Sequence, residues 1–489
     1  AHRGSEGSGK AKWIVIGSIA LLAAGFGVFA LVGKSKTKRN EARIVQLIGS
    51  ETPTGTAADV ALAVAFLDDP KAPPALKTQS SEVLERLEGS GISEAIHAQL
   101  KAAKNVPLKL RLSKVLAERN YAPAVAEMVQ TFSSATTDDQ RLQVLQSIRA
   151  IAGRADIDTM LGALNREHSL PVRKMLEDTV LAVLRRGGNN DAIVDKILAK
   201  ISSSSGSERQ SLFRILGVLG GEKVKTRLSE TYATGDLAYQ RDALKAYLNW
   251  PDRSVLPELE GIISTAGDDV LRISAEHAYV RLATLPGPEP IEQLVPLWQK
   301  AFQLASKPVD VRDLISSLLE YPAPETLAVL KEWEKNPTHG DKAKDAANTL
   351  AKSMQGIVEL KPGDEIKGNR ARVRGDRSAS INGALSSLTG WVSPETYFSW
   401  SFKVAESGEY HVEVDQASLR DEPSDFVAYL AGKTLEGKSE RTQDLEKFTT
   451  VRLDGSVQLE AGKIYLLTIA PGTKIQPRMM DIGAIRLVK

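Results

Sequence analysis

The stretch DDVLRISAEHAYVRLA, Asp268 to Ala283, decides the fold class. Its Arg272 is followed by apolar Ala275 and Tyr279, three and seven positions on. That spacing lines one face of an α-helix. The same arrangement follows Lys109 (Leu112, Leu116), Arg141 (Val144, Ile148), Arg173 (Leu176, Val180) and Arg209 (Leu212, Leu216). It follows Arg241 (Leu244, Leu248), Arg312 (Ile315, Leu319) and Lys344 (Ala347, Ala351) as well. Successive anchors are 32, 32, 36, 32, 31, 40 and 32 residues apart. Any amphipathic helix supplies the short spacing. The near-constant long step marks an array of repeats, in which each unit buries its apolar face only against its neighbours. Each period also holds an apolar run ahead of the anchor, as in IDTMLGALNRE (157–167), DAIVDKILAKI (191–201) and SVLPELEGIIST (254–265). The predicted unit is therefore a helical hairpin.

These residues resemble HEAT repeats. DDVLRISAEHAYVRLA and HSLPVRKMLEDTVLAVL (168–184) are similar to the second helix of such repeats, where an Asp or Pro, then Val, then Arg opens the helix. Leu271 departs from that pattern by separating Val270 from Arg272. The resemblance implies a curved scaffold with a protein-binding surface rather than an active site. Arg141, Arg173, Arg209, Arg241, Arg272 and Arg312 are read as a structural ladder, paired with acids of adjacent turns such as Asp139, Glu208, Asp269 and Asp310. The planar guanidinium suits such pairing, which is preferred here to a basic stripe for phosphate.

The 489 residues include 63 basic and 61 acidic ones, a formal net charge of +2, so no global field argues for a nucleic-acid partner. Cysteine is absent, which removes disulfides, thiolate metal sites and cysteine nucleophiles. The histidines His2, His97, His168, His277, His339 and His411 are dispersed, and no H-E-x-x-H, G-x-S-x-G or partnered S-x-x-K motif is present. The chain is expected to be no enzyme and to need no cofactor. His277 is expected to be packed beside Ala275 and Ala278.

Residues 1–12 read as a polar, basic tail; Gly4, Gly9 and Lys10 approach a phosphate loop, but Ala11 stands where its Ser or Thr would be. WIVIGSIALLAAGFGVFALVG (13–33) is a 21-residue run without a charge, long enough as a helix to cross the roughly 30 Å core of a bilayer. Gly17, Ala20, Ala24 and Gly27 fall on one face of it, a small-residue stripe suited to helix packing in lipid. Residues 34–51 follow as a basic juxtamembrane linker. Lys and Arg number three before the span and five after it, which leans toward a cytoplasmic body.

Residues 52–355 carry the helical repeats, and from 356 to 489 the pattern changes to short alternating runs such as FSWSFKV (398–404), EYHVEVDQA (409–417) and IYLLTIAPG (464–472). Alternation between turn signals predicts an antiparallel β-sandwich. GWVSPETYFSWSFKVAESGEYHVEVDQAS, VQLEAGKIYLLTIAP and MDIGAIRLVK resemble the jelly-roll, carbohydrate-binding-module-like domains found beside bacterial fucosidases and sulfatases. The resemblance implies sugar-stacking aromatic rings, with Trp391 and Tyr397 the candidates and Trp400, in phase with Phe402 and Val404, expected in the core. The acidic loop LRDEPSD (419–425) offers oxygens but lacks the regular spacing of a calcium loop.

The architecture expected is one transmembrane helix, a HEAT-like α-α superhelix and a C-terminal jelly roll. Its function is expected to be that of a non-catalytic, membrane-anchored scaffold that binds a protein partner, within a membrane complex and in contact with lipid. The alternative is a glycan-binding envelope protein in which the sandwich takes carbohydrate and the helices are a spacer. The jelly-roll resemblance to exported proteins places the bulk of the chain in the bacterial periplasm, at the inner membrane, against the cytoplasmic alternative left by the charge count.

Overall fold

The computed structural model describes residues 36–186, 190–375, 379–476 and 478–489. The expected span at 13–33, with its Gly17, Ala20, Ala24 and Gly27 stripe, lies outside them. Among the described residues no helix is long and apolar enough to cross a membrane. The described residues divide into two compact units, one of residues 36–156 with 168–175, the other of residues 157–167 with those from 176 to 489.

In the first unit run the helices Lys36–Ile48, Ala57–Asp68, Pro74–Arg86, Ile92–Ala102, Val106–Glu118, Val125–Ser134 and Asp138–Ile151. Their starts are chemically marked. Thr56 and Asp59 form a capping box, and the Asn105 side chain accepts from the Leu108 N–H at 2.8 Å. The expected linker at 34–51 is largely the first of these helices. Ile44 and Leu47 are buried, and Arg43 Nε donates to Asp59 at 2.8 Å. Apolar residues three apart beside an arginine make one side of a short amphipathic helix, and the basic composition concealed it.

In the second unit the helices Gly206–Leu219, Leu237–Tyr247, Asp269–Ala283, Pro308–Leu318 and Gly340–Gln355 stand side by side in sequence order. Between them come Glu222–Thr234, Leu256–Thr265, Ile291–Leu304 and Pro324–Trp333. The anchors Arg209, Arg241, Arg272, Arg312 and Lys344 all fall in the first set, so the two-helix period is present. Buried Leu212, Leu216, Leu244, Ala275 and Tyr279 fill the seam that the +3 and +7 spacing predicts, and Leu248 is half-buried. The chains touch closely at Gly217, where an added Cβ would lie 2.2 Å from the Ala246 carbonyl oxygen. Only glycine allows that approach.

Thirteen strands follow among the described residues: β1 (Val358–Leu360), β2 (Glu365–Lys367), β3 (Arg372–Arg374), β4 (Ser380–Asn382), β5 (Ser387–Thr389), β6 (Tyr397–Val404), β7 (Gly408–Ala417), β8 (Asp425–Leu430), β9 (Lys433–Lys438), β10 (Thr449–Arg452), β11 (Val457–Leu459), β12 (Ile464–Pro471) and β13 (Asp481–Val488). One sheet has the order β1-β6-β12-β8-β9 with β3 also on β6. The other has β10-β7-β13-β5-β4, with β11 on β7 and β2 on β13. Pairing between the named strands is antiparallel except that β1 runs parallel to β6. A long connection joins those two, so no hairpin forces them antiparallel. The register Tyr465↔Phe402, Leu467↔Trp400 and Ile469↔Phe398 aligns the inward residues of β12 and β6. With Tyr410, Val412 and Val414 of β7 and Phe426, Ala428 and Leu430 of β8 they form one buried core.

Candidate functional site

A cleft in the second unit lies where two helix-connecting turns meet strands β8 and β12 of the first sheet. One turn is LPGPEP (285–290), between Asp269–Ala283 and Ile291–Leu304; the other is Tyr321-Pro322-Ala323, before Pro324–Trp333. Opposite them stand Tyr429 of β8, the β8–β9 turn at Ala431 and Gly432, and residues 463–468 leading into β12. The cleft holds about 240 Å3. Its proline walls are stiff, because the ring of each proline fixes its backbone φ.

Buried charges hold this wall in place. Arg253 donates from Nη1 to the Glu289 carboxylate at 2.6 Å and from Nη2 to the Leu285 carbonyl, pinning both ends of the turn. Ala431 (φ 49°) and Gly432 (φ 80°) take left-handed conformations in succession, the geometry that a two-residue hairpin needs. The Tyr465 hydroxyl accepts from the Glu460 N–H at 2.8 Å. Burial, with the neighbouring Glu289 carboxylate, raises the pKa of the Tyr429 hydroxyl; burial pushes Tyr321 up to about 12. At the rim Lys463 Nζ is 3.8 Å from Glu292 and 6.0 Å from the Tyr465 ring centre.

A second contact ties the sandwich to the same helices. Arg372 of β3 donates to the Leu319 carbonyl at 2.7 Å, satisfying an acceptor at the end of Pro308–Leu318. Arg374 pairs with Glu320 at 2.7 Å. Burial outweighs both arginines and pushes the Glu320 carboxyl up to about 7.

The aromatic platform expected at Trp391 is corrected. Its ring is 1 % exposed, stands edge-on to Phe398 at 4.8 Å, and donates from Nε1 to the Thr396 carbonyl at 3.0 Å. An indole with a satisfied N–H and no open face is core, so it offers no surface to a sugar. Tyr397 is half-buried, and burial beside Glu320 and Tyr321 raises its pKa; it faces the helices. Trp400 is buried as expected.

The arginine ladder is present in part. Arg209 reaches Asp242 at 2.6 Å and Arg241 reaches Asp268 at 2.7 Å, each one helix ahead. Arg272 pairs with Asp269, one of the acids expected in the ladder, and with Glu276; Arg141 pairs with Asp138, and Arg312 lies 3.6 Å from Asp313, all within their own helices. Arg173 is buried. Of the acids named for the ladder, Glu208 pairs with Lys200 at 3.1 Å, and Asp310 accepts from or donates to His277 at 2.7 Å. His277 is half exposed rather than packed, with its Nδ1 held on the buried Asp310 carboxyl.

In the acidic loop Asp421 pairs with Arg441, Glu422 with Lys474 at 3.0 Å, and Asp425 accepts from the Lys474 N–H at 3.1 Å. No metal-holding group of three such side chains occurs among the described residues. The cleft itself went unread in the sequence. LPGPEP announces a turn, but nothing local says that β8 and β12 will face it.

The class of protein so defined is an array of helical hairpins carrying a C-terminal two-sheet β-sandwich, with a cleft where they join. No protein-family model and no curated protein matches the chain. Among solved structures, an exo-β-1,3-galactanase from Phanerochaete chrysosporium is similar at 11% identity and a TM-score of 0.23, over 26% of this chain and 29% of that one. A GH26-CBM35 β-(1,4)-mannanase from Podospora anserina is similar at 18% identity and a TM-score of 0.20, over 26% and 27%. A family 35 carbohydrate binding module from Clostridium thermocellum is similar at 9% identity and a TM-score of 0.21, over 25% and 97%.

Proposed function

We propose that the protein is a non-catalytic, membrane-anchored adaptor of the bacterial envelope. Its HEAT-type hairpins engage a protein partner, and its sandwich adds a carbohydrate-recognising module. The partner reading is carried by one observation. Leu237, Val270 and Val309 are 44 %, 55 % and 44 % exposed, and each is the first or second residue of one of three successive helices that stand side by side. Other apolar side chains of those helices, such as Leu244, Tyr279 and Ile315, are buried. An apolar side chain repeated in the first turn of neighbouring helices and left in water marks a surface that something covers. The uncharged run at 13–33 supports the anchor, and confinement near the bilayer raises the effective concentration of both surfaces toward membrane-bound partners.

Mild-detergent purification from native membranes tests this reading, with companions identified and their ratio to the chain measured. A protein at fixed ratio that is lost when Leu237, Val270 and Val309 are replaced together by Glu supports it. Recovery of the chain without a protein companion would sink the adaptor reading.

The second module is favoured by the cleft, where tyrosine and proline walls meet carboxylates and a lysine at the rim. Sugars present an apolar ring face bordered by hydroxyls, and sites for them combine those same two features.

A further inference from the structure

We infer that the cleft between the 285–290 turn and strands β8 and β12 binds one residue of a neutral sugar, and that helices and sandwich build this site jointly. The inference rests on the carbohydrate reading above and gives it a place and a ligand charge. At about 240 Å3 the cleft is smaller than the roughly 300–1,000 Å3 of pockets for drug-sized ligands, which sets the occupant near a single sugar ring.

The polar groups at the rim are under-used by the protein itself. Glu460 is exposed and its carboxylate makes no ion pair or hydrogen bond among the described residues. The Tyr429 hydroxyl likewise makes no hydrogen bond among the described residues, although its ring is half-buried. Glu292 and Lys463 stand 3.8 Å apart, beyond direct hydrogen-bond distance, with room for a hydroxyl to bridge them. Acceptors, a donor and a hydroxyl therefore surround walls made by Pro288, Pro290 and Tyr429.

Charge narrows the ligand. Glu289, Glu292 and Glu460 face one Lys463, while Arg253 is committed to Glu289. A phosphate or a uronate would meet more carboxylates than cations. No group of three histidine or carboxylate side chains placed to hold a metal ion occurs among the described residues, those of the cleft included. A neutral polyol fits both the walls and the rim.

The test is affinity electrophoresis of the full chain in mild detergent, through gels containing yeast mannan, galactan or xylan, with polygalacturonate as the acidic comparison. Three forms are compared: wild type, Glu292→Ala/Glu460→Ala, and Gln458→Trp, which fills the cleft from an exposed position on β11. Melting temperatures check that the exposed substitutions leave the fold intact. The expected result is retardation of wild type by a neutral polysaccharide, weakened at least tenfold in both variants. Wild-type retardation retained by the variants would overturn the cleft as the site while leaving the module reading standing. Retardation by polygalacturonate alone would overturn the neutral ligand. No retardation of wild type by any of the gels would overturn both the module reading and the cleft.

Discussion

Replacing Glu320 by Gln should flatten the acid-to-neutral decline of stability in this protein. Glu320 sits at the join between the helices and β3, facing Arg372 and Arg374 with Tyr321 and Tyr397 beside it. Burial lifts its carboxyl from an ordinary 4.5 to about 7. Between those two values the folded chain holds a proton that the unfolded chain has released. Stability that is fully present below pH 4.5 is therefore lost as pH rises through 7. At 1.36 kcal/mol per pKa unit the difference amounts to about 3 kcal/mol, an upper figure because a partly open join lets water in. At about 2–4 °C per kcal/mol for a body of this size, that is roughly 6–12 °C in melting temperature. Calorimetry at pH 5, 6, 7 and 8 on wild type and Glu320→Gln reads it directly. The wild-type curve should fall relative to the variant's as pH rises, with most of the change before pH 8. Parallel curves would refute the burial of this carboxyl.

Trp391→Ala should cost about 3–5 kcal/mol, since it empties a buried site and strands the Thr396 carbonyl; a denaturant melt of the sandwich measures it. Asp242→Ala removes the partner of Arg209 at a largely buried pair and should cost about 3 kcal/mol, seen as a lower melting temperature of the helical part. Gly217→Ala drives a methyl into the Ala246 carbonyl and should destabilise by about 1–3 kcal/mol or more; near-neutral behaviour would mean that the helices part easily there. Val309→Glu should leave the melting temperature within about 1 °C, since Val309 is exposed, and should lower partner recovery.

The hairpins were legible because burying one face of a helix imposes a spacing, and repeating the hairpin imposes a period. Arg272 pairs with the expected Asp269 one turn away and Arg141 with Asp138, whereas Arg209 and Arg241 reach Asp242 and Asp268 at the next anchor helix. Spacing alone does not choose between two carboxylates within reach. The long strands β6, β7, β12 and β13 were legible from alternation. The three-residue strands β1 to β5 were not, because three residues cannot show a period. β9, KTLEGK, is polar on both faces except Leu435. Trp391 misled because a Trp before a turn looks exposed in sequence, and only the fold brings Phe398 over it. The cleft was invisible for a related reason: its helical and sandwich walls come from segments more than 100 residues apart.

The bond from Arg372 to the Leu319 carbonyl, with Arg374 on Glu320, has a consequence for the order of synthesis. The helix Pro308–Leu318 leaves the ribosome well before β3 does, and it emerges with its last carbonyl and a carboxyl awaiting partners that are not yet made. At about 5–20 residues per second the wait lasts several seconds. During that time water must serve as the terminal cap, and β3 displaces it on arrival. A chain cut short after Gln355 would keep that end permanently wet, so the last hairpins should fray and be the first segment a protease removes.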